Sequence, residues 1–204
     1  MTKNHIGQYF NIDGVIFNLK YLFKLHTIKP DIIAKSVYEL DLLEIKIKHG
    51  IKYIVFDKDN TLTLPHINKF ANQEIKEKIS EFKKVFGVGN IAILSNSAGS
   101  RDDKDFKEAR EIEENTGMMV IKHQFKKPKV YKEILETFGN KRESPISNKE
   151  ICVIGDRLLV DVIMGREYGF FTILVQPITK TKDNFIVKIL RKFENLLVPH
   201  NKIN

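Results

Sequence analysis

The sequence predicts an α/β fold wound around a central parallel sheet. Short apolar runs alternate with amphipathic helical stretches, and clusters of polar residues follow the runs directly. In such a sheet the crossovers are right-handed and the ligand site lies beyond the carboxyl ends of the strands. The residues just after each run therefore carry most of the functional information.

Along the chain, Ile12, Val15, Ile16, Leu19, Leu22, Phe23 and His26 recur at helical spacing, with Lys20 and Lys24 largely on the other face. This predicts a basic amphipathic helix. Helical pieces are expected from Asp31 to His49, and Gly50 then breaks the chain before the apolar run Ile51 to Phe56, read as the first strand. Asn72 to Val85 reads as a helix, Ile91 to Leu94 as a strand, and Asp102 to Asn115 as a charged helix closed by Gly117. A strand at Met118 to Ile121, a helix at Val130 to Phe138, a polar loop at 139–148 and a strand at Ile151 to Ile154 follow. The pattern ends with a helix at Val160 to Tyr168, a strand at Phe171 to Val175 and a basic amphipathic stretch at Phe185 to Leu197. No repeat or Gly/Ser linker divides the chain, so the expected organisation is an N-terminal amphipathic segment, 1–49, and one domain, 50–204.

A net charge of +8 favours an anionic partner: nucleic acid, phospholipid surface or phosphorylated substrate. The single cysteine, Cys152, excludes an intramolecular disulfide and sits within an apolar run, as a buried thiol in a reducing compartment would. No stretch approaches the roughly 20 apolar residues that span a bilayer. The first thirty residues have four lysines and no arginine, unlike a typical transit peptide, so the sequence sets no address.

The first strand is followed by Asp57-Lys58-Asp59-Asn60-Thr61, two carboxylates two positions apart at a strand tip. One can attack phosphorus while its neighbour protonates the leaving oxygen and then activates water. Ser95-Asn96-Ser97 follows the second strand, where a hydroxyl can donate to a phosphoryl oxygen. Lys127, before Pro128, follows the third and offers a fixed positive charge, although Lys126 and Lys129 offer the same. After the fourth come Asp156 and Asp161, whose hard oxygens suit magnesium. The six histidines show no zinc-ligand spacing. Each piece alone is more often a helix cap or a solvated loop residue; the order of all four carries the argument.

That order resembles the haloacid dehalogenase (HAD) phosphatases: DxDx[TV], a Ser or Thr, a Lys, then an acidic pair. The resemblance implies a three-layer Rossmann-like HAD fold, with Asp57 as nucleophile and Asp59 as general acid and base. It implies Ser95, Asn96 and Lys127 at the phosphate, and magnesium on Asp57, the Asp59 main-chain carbonyl and Asp156, supported by Thr61 and Asp161. Within that superfamily, GIKYIVFDKDNTLTLPH at Gly50 to His66, LSNSAGS at Leu94 to Ser100, and GDRLLVD resemble the eukaryotic mitochondrial phosphatidylglycerophosphate phosphatases. Val160 departs from the pattern where a Thr often braces the second acid.

About thirty residues separate successive motifs, which crossover helices already consume, so a capless, open site is expected. Such a site suits a phosphate presented on a bilayer surface. The family resemblance implies dephosphorylation of that lipid in cardiolipin biosynthesis, peripherally on the matrix face of the inner mitochondrial membrane. A phosphoprotein or a nucleic-acid terminal phosphate are the alternatives; no nucleic-acid recognition motif is present, so a nucleic-acid partner is not expected. A receiver domain, which shares the Asp, Ser/Thr and Lys-Pro, has its acidic pair before the acceptor strand, the reverse of the order here.

Overall fold

The computed structural model describes residues 29–139 and 145–179. The helical segments expected at Ile12 to His26 and Phe185 to Leu197 lie outside them.

Six strands form one wholly parallel sheet: β1 (Ile32–Ala34), β2 (Tyr53–Asp57), β3 (Ile91–Leu94), β4 (Met119–Val120), β5 (Ile151–Gly155) and β6 (Phe171–Val175). Their spatial order is β1-β6-β5-β2-β3-β4. The chain steps one way from β2 to β3 and β4, and the other way from β5 to β6, so a crevice opens beyond the tip of β2.

β2 lies centrally because its first four residues, Tyr53 to Phe56, are suited to burial on two faces. Ile54 and Phe56 face one helical layer, formed by α1 (Gln73–Phe86) and α2 (Lys107–Thr116). Tyr53 and Val55 face the other, formed by α3 (Tyr131–Gly139) and α4 (Ile163–Tyr168). Phe56 meets Phe82 of α1 edge-on at 5.0 Å, and Tyr53 meets Phe138 of α3 at 5.1 Å. Each such fully buried aromatic is worth about 1.5–3 kcal/mol. The result is the three-layer Rossmann-like α/β architecture that the HAD resemblance implies.

α1 begins where Asn72 Oδ1 accepts from the Ile75 N–H (2.9 Å) and stops at Gly87, whose φ of +88° suits glycine. Between β2 and α1 the chain makes only a loop with isolated bridges, Asp59 to Thr63 and Thr63 to Phe70. No domain is inserted there among the described residues.

Two segments differ from expectation. Of the helical pieces expected from Asp31 to His49, short turns of helix form at Val37–Glu39 and Glu44–Lys48, yet Ile32–Ala34 is a strand that pairs with Ile173–Val175. The pairing is fixed by Asp31, whose carboxylate accepts from the Thr172 N–H (2.8 Å) and pairs with Arg166 (2.8 Å). Val37, Leu40, Leu42 and Ile45 then enter the core, so the described part of residues 1–49 is built into the sheet domain.

The second difference is that α2 starts at Lys107 rather than Asp102. The Asp103 carboxylate accepts from the N–H groups of Gly99, Glu108 and Ala109, and that capping role holds it before the helix. Those three hydrogen bonds also lower its pKa against the opposing effect of burial.

Candidate functional site

The carboxyl ends of the three central strands converge. Phe56 pairs with Ile154 and Asp57 with Leu94, which sets Asp57 level with Gly155 and next to the exit of β3. Beyond the tip of β2 the chain reverses through Asn60 in the left-handed region (φ +62°), a conformation Asn tolerates better than most residues. Its side chain also accepts from the Thr179 N–H (3.1 Å), tying the motif loop to the segment after β6.

Asp57, Asp156 and Asp161 are all buried, and one carboxylate oxygen from each lies within 4.8 Å of the others. Lys127, 2% exposed, donates to Asp57 Oδ1 and, at 2.8 Å, to Asp161 Oδ1. This identifies which of the three neighbouring lysines reaches the site: Lys126 pairs with Asp102 outside it, and Lys129 is exposed.

Burial pushes the pKa of Asp57 up to about 6, with Asp161 adding to the rise and Lys127 opposing it. Lys127 is itself buried, yet its two carboxylate partners drive its pKa above the ordinary lysine value. Burial thus outweighs the support that the shared lysine gives Asp57, whereas two neighbouring acids outweigh the burial of Lys127.

With Asp156 included, three carboxylates and one ammonium carry a formal net charge of −2. The donor set is oxygen-only, and its charge deficit matches a divalent cation. The residues therefore fit a hard ion such as magnesium. Thr61 Oγ1 is buried in the adjoining motif loop and makes no hydrogen bond.

Asp161 reaches this cluster because Gly155 has no side chain. A Cβ at position 155 would lie 2.4 Å from Asp161 Cγ. Asp161 cannot withdraw easily, since it is 1% exposed and also accepts from the Arg157 N–H (3.2 Å). Those two contacts brace Asp161 without the hydroxyl that Val160 lacks. Gly155→Ala is expected to cost about 1–3 kcal/mol of stability through overpacking. It should also lower turnover at least tenfold by displacing Asp161. Thermal melts and kcat measured together check this, and unchanged values of both would contradict the assigned contact.

The remaining predicted residues are arranged less directly. Asp59 is turned from the acidic cluster: its Oδ1 accepts from Lys58 Nζ (2.7 Å) and from the His66 N–H (3.0 Å). Lys58 is 1% exposed, whereas the Asp59 side chain is 39% exposed, so the pair presents a carboxylate at the mouth of the site. Its charge still contributes to the raised pKa of Asp57. Ser95 is buried, with its hydroxyl accepting from the N–H groups of Ser97 (3.2 Å) and Ala98 (3.3 Å). Asn96 Oδ1 accepts from the Lys127 N–H (3.1 Å), which makes it a support for the lysine in this arrangement.

Sequence reasoning assigned no role to His123. It is 4% exposed, with Nε2 2.8 Å from the Ser95 carbonyl and Nδ1 against the Phe125 carbonyl. It thus joins the loop that carries Ser95 to the loop that carries Lys127. Burial lowers its pKa, with the charge of Lys127 acting in the same direction. Nothing in the local pattern around Lys122-His123-Gln124 signals that contact, which joins residues 28 apart.

The family model for the mitochondrial PGP phosphatases matches residues 12–179. A chloroplastic/mitochondrial phosphatidylglycerophosphate phosphatase 1 of Arabidopsis thaliana is 33% identical over 199 residues, covering 96% of this chain and 55% of that protein. This chain thus spans about half the length of the plant relative. A mitochondrial phosphatidylglycerophosphatase of Saccharomyces cerevisiae is 32% identical over 188 residues, covering 92% of this chain and 98% of that one. A probable phosphatase of Bacillus subtilis is 29% identical over 170 residues, 83% of this chain and 88% of that protein. No solved structure gives a significant match. With its sheet order, its acidic cluster and a family match across most of its length, the chain belongs to the mitochondrial PGP phosphatase family.

Proposed function

We propose that this chain hydrolyses the phosphomonoester of phosphatidylglycerophosphate, yielding phosphatidylglycerol and inorganic phosphate, through an aspartyl-phosphate intermediate. The observation that carries the chemistry is the buried Asp57 and Lys127 pair at the tip of β2, ringed by Asp156 and Asp161. The lipid substrate is supported by the names of the plant and yeast relatives.

In this reading Asp57 attacks phosphorus, a P–O bond to Asp57 forms and the P–O bond to the glycerol breaks. Asp59, part-exposed at the mouth, gives its proton to the departing alkoxide oxygen. It then takes a proton from water as that water attacks phosphorus and releases phosphate and free Asp57. Lys127 offsets charge on the equatorial phosphoryl oxygens, and the Ser95 hydroxyl donates to one of them. Asn96 and His123 hold the loops that carry Lys127 and Ser95. Magnesium, held by Asp57, Asp156 and the Asp59 carbonyl with Asp161 in support, would supply neutralising charge and orient the phosphate when bound.

A site with no domain inserted between β2 and α1 among the described residues suits a phosphate that stays in a lipid layer. No helix among the described residues is long and apolar enough to cross a membrane. Peripheral attachment at the matrix face of the inner mitochondrial membrane completes the proposal, with the amphipathic stretch Ile12 to His26 contributing to it.

The test is phosphate release with magnesium from phosphatidylglycerophosphate in mixed micelles, beside a soluble aryl phosphate and a phosphopeptide. A strong preference for the lipid is expected. Turnover of only the soluble substrates would retain the chemistry and reject the lipid, and turnover of the phosphopeptide alone would favour a protein substrate.

A further inference from the structure

We infer that the rim formed by residues 99–107 and 122–126 is the surface that docks on an anionic lipid layer and seats the phosphate site against it. This rests on the lipid-phosphatase reading above, and names the face that meets the lipid.

The two segments leave the ends of β3 and β4, on the side of the sheet where Asp57 lies, and run directly from Ser95 and Asn96 and into Lys127. They are zipped together. The His123 N–H donates to the Gly99 carbonyl (2.8 Å), Arg101 Nε donates to the Gln124 carbonyl (2.9 Å), and Lys126 pairs with Asp102 at 2.6 Å. The rim is therefore a single patch fixed to the site.

Two aromatic side chains stand out from it, Phe125 (49% exposed) and Phe106 (36% exposed). A cation covers each ring: Arg101 lies 5.7 Å from the centre of Phe125, and Lys122 lies 4.9 Å from that of Phe106. Phe106 also holds a φ of +54°, a conformation a bulky residue rarely adopts, following Asp105 in the same region.

Within these segments Arg101, Lys104, Lys107, Lys122 and Lys126 outnumber Asp102, Asp103 and Asp105, and Asp103 is turned inward as the cap of α2. Aromatic rings interleaved with basic side chains suit the headgroup level of an anionic bilayer. A protein partner fits less well, because lysine is depleted from the cores of protein interfaces. Single-stranded nucleic acid also fits less well, because base stacking needs open ring faces and a cation already occupies one face of each ring.

The experiment is co-sedimentation of the full chain with phosphatidylcholine vesicles, with and without phosphatidylglycerol, for the wild type and a Phe106→Asn/Phe125→Ser variant. An asparagine tolerates the positive φ at this position, and the contact of His123 with the residue 125 carbonyl uses main chain only. Turnover of a soluble aryl phosphate and a thermal melt are read on the same samples. The expected result is binding to the anionic vesicles only, weakened about tenfold or more in the variant, with aryl phosphate turnover unchanged. The inference fails if the wild type binds neutral vesicles equally or neither type, or if the variant binds as well as the wild type. It also fails if aryl phosphate turnover and the melt fall in step with binding, because the rings would then be structural. Since sedimentation needs no turnover, a chain that docks but does not cleave the lipid would reject the proposed substrate and leave the docking surface standing.

Discussion

Asp57→Asn is expected to abolish turnover, by on the order of 10⁴-fold or more, without loosening the fold. The amide keeps the volume of the carboxylate but cannot attack phosphorus. The stability consequence is less obvious and has a definite sign. Burial pushes the Asp57 pKa up to about 6, above the ordinary carboxylate value, so in the metal-free protein ionising this group opposes folding. The stabilisation its neutral form contributes is complete below pH about 4 and lost as pH rises through about 6, amounting to at most about 3 kcal/mol. The amide that replaces it in the variant stays neutral throughout. In chelator at neutral pH the variant should therefore melt at or above the wild-type temperature, and the gap should close on acidification toward pH about 4. Retained turnover in Asp57→Asn would remove Asp57 from the nucleophile's role. A variant that melts lower at neutral pH would instead mean that the Asp57 to Lys127 pair outweighs its desolvation.

The same balance explains what was legible in the sequence. Ile54-Val55-Phe56, Ile91 to Leu94 and Ile151 to Ile154 are continuous apolar runs that suit a strand buried on both faces, and each is followed within two residues by a polar residue with chemistry. Asp57, Ser95 and Asp156 could therefore be ordered around a site from the sequence alone, and Lys127 with them through the shorter run that ends at Ile121. β1 could not be read, because Ile32-Ile33-Ala34 is too short to show a period and is a strand only through its pairing with β6 and the contacts of Asp31. The start of α2 was misplaced because Asp103 bonds to N–H groups on both sides of itself, a choice that local propensity does not reveal.

Within the site, position along the chain identified the acids but not their directions. Asp57 and Asp59 are two residues apart, yet one faces Lys127 and the other faces Lys58, because the turn at Asn60 and the loop through His66 separate them. The roles of His123 and Asn96 are tertiary in the same sense: each joins the β3 exit to the segment carrying Lys127, and neither of these contacts is local in sequence.

Replacing Lys127 should have the largest combined effect on activity and stability, and the comparison with its neighbours makes that specific. Lys127→Met keeps the apolar stem but leaves Asp57, Asp156 and Asp161 clustered and buried without their ammonium. Removing one partner from a buried charge network typically costs about 3–5 kcal/mol, and losing a group that offsets phosphoryl charge costs on the order of 10²–10³ in turnover. Lys126→Met removes only a part-exposed pair with Asp102, worth about 0–1 kcal/mol, and Lys129 is exposed. Both Lys126→Met and Lys129→Met should leave aryl phosphate turnover near wild type. A further readout separates electrostatics from packing. If the cluster is destabilised by its own charge, magnesium should raise the melting temperature of Lys127→Met more than that of the wild type, since the ion enters a site with one more unbalanced negative charge. Equal losses in all three lysine variants would undo the assignment of Lys127, and a Lys127→Met melt insensitive to magnesium would mean that the three acids do not form a cation site.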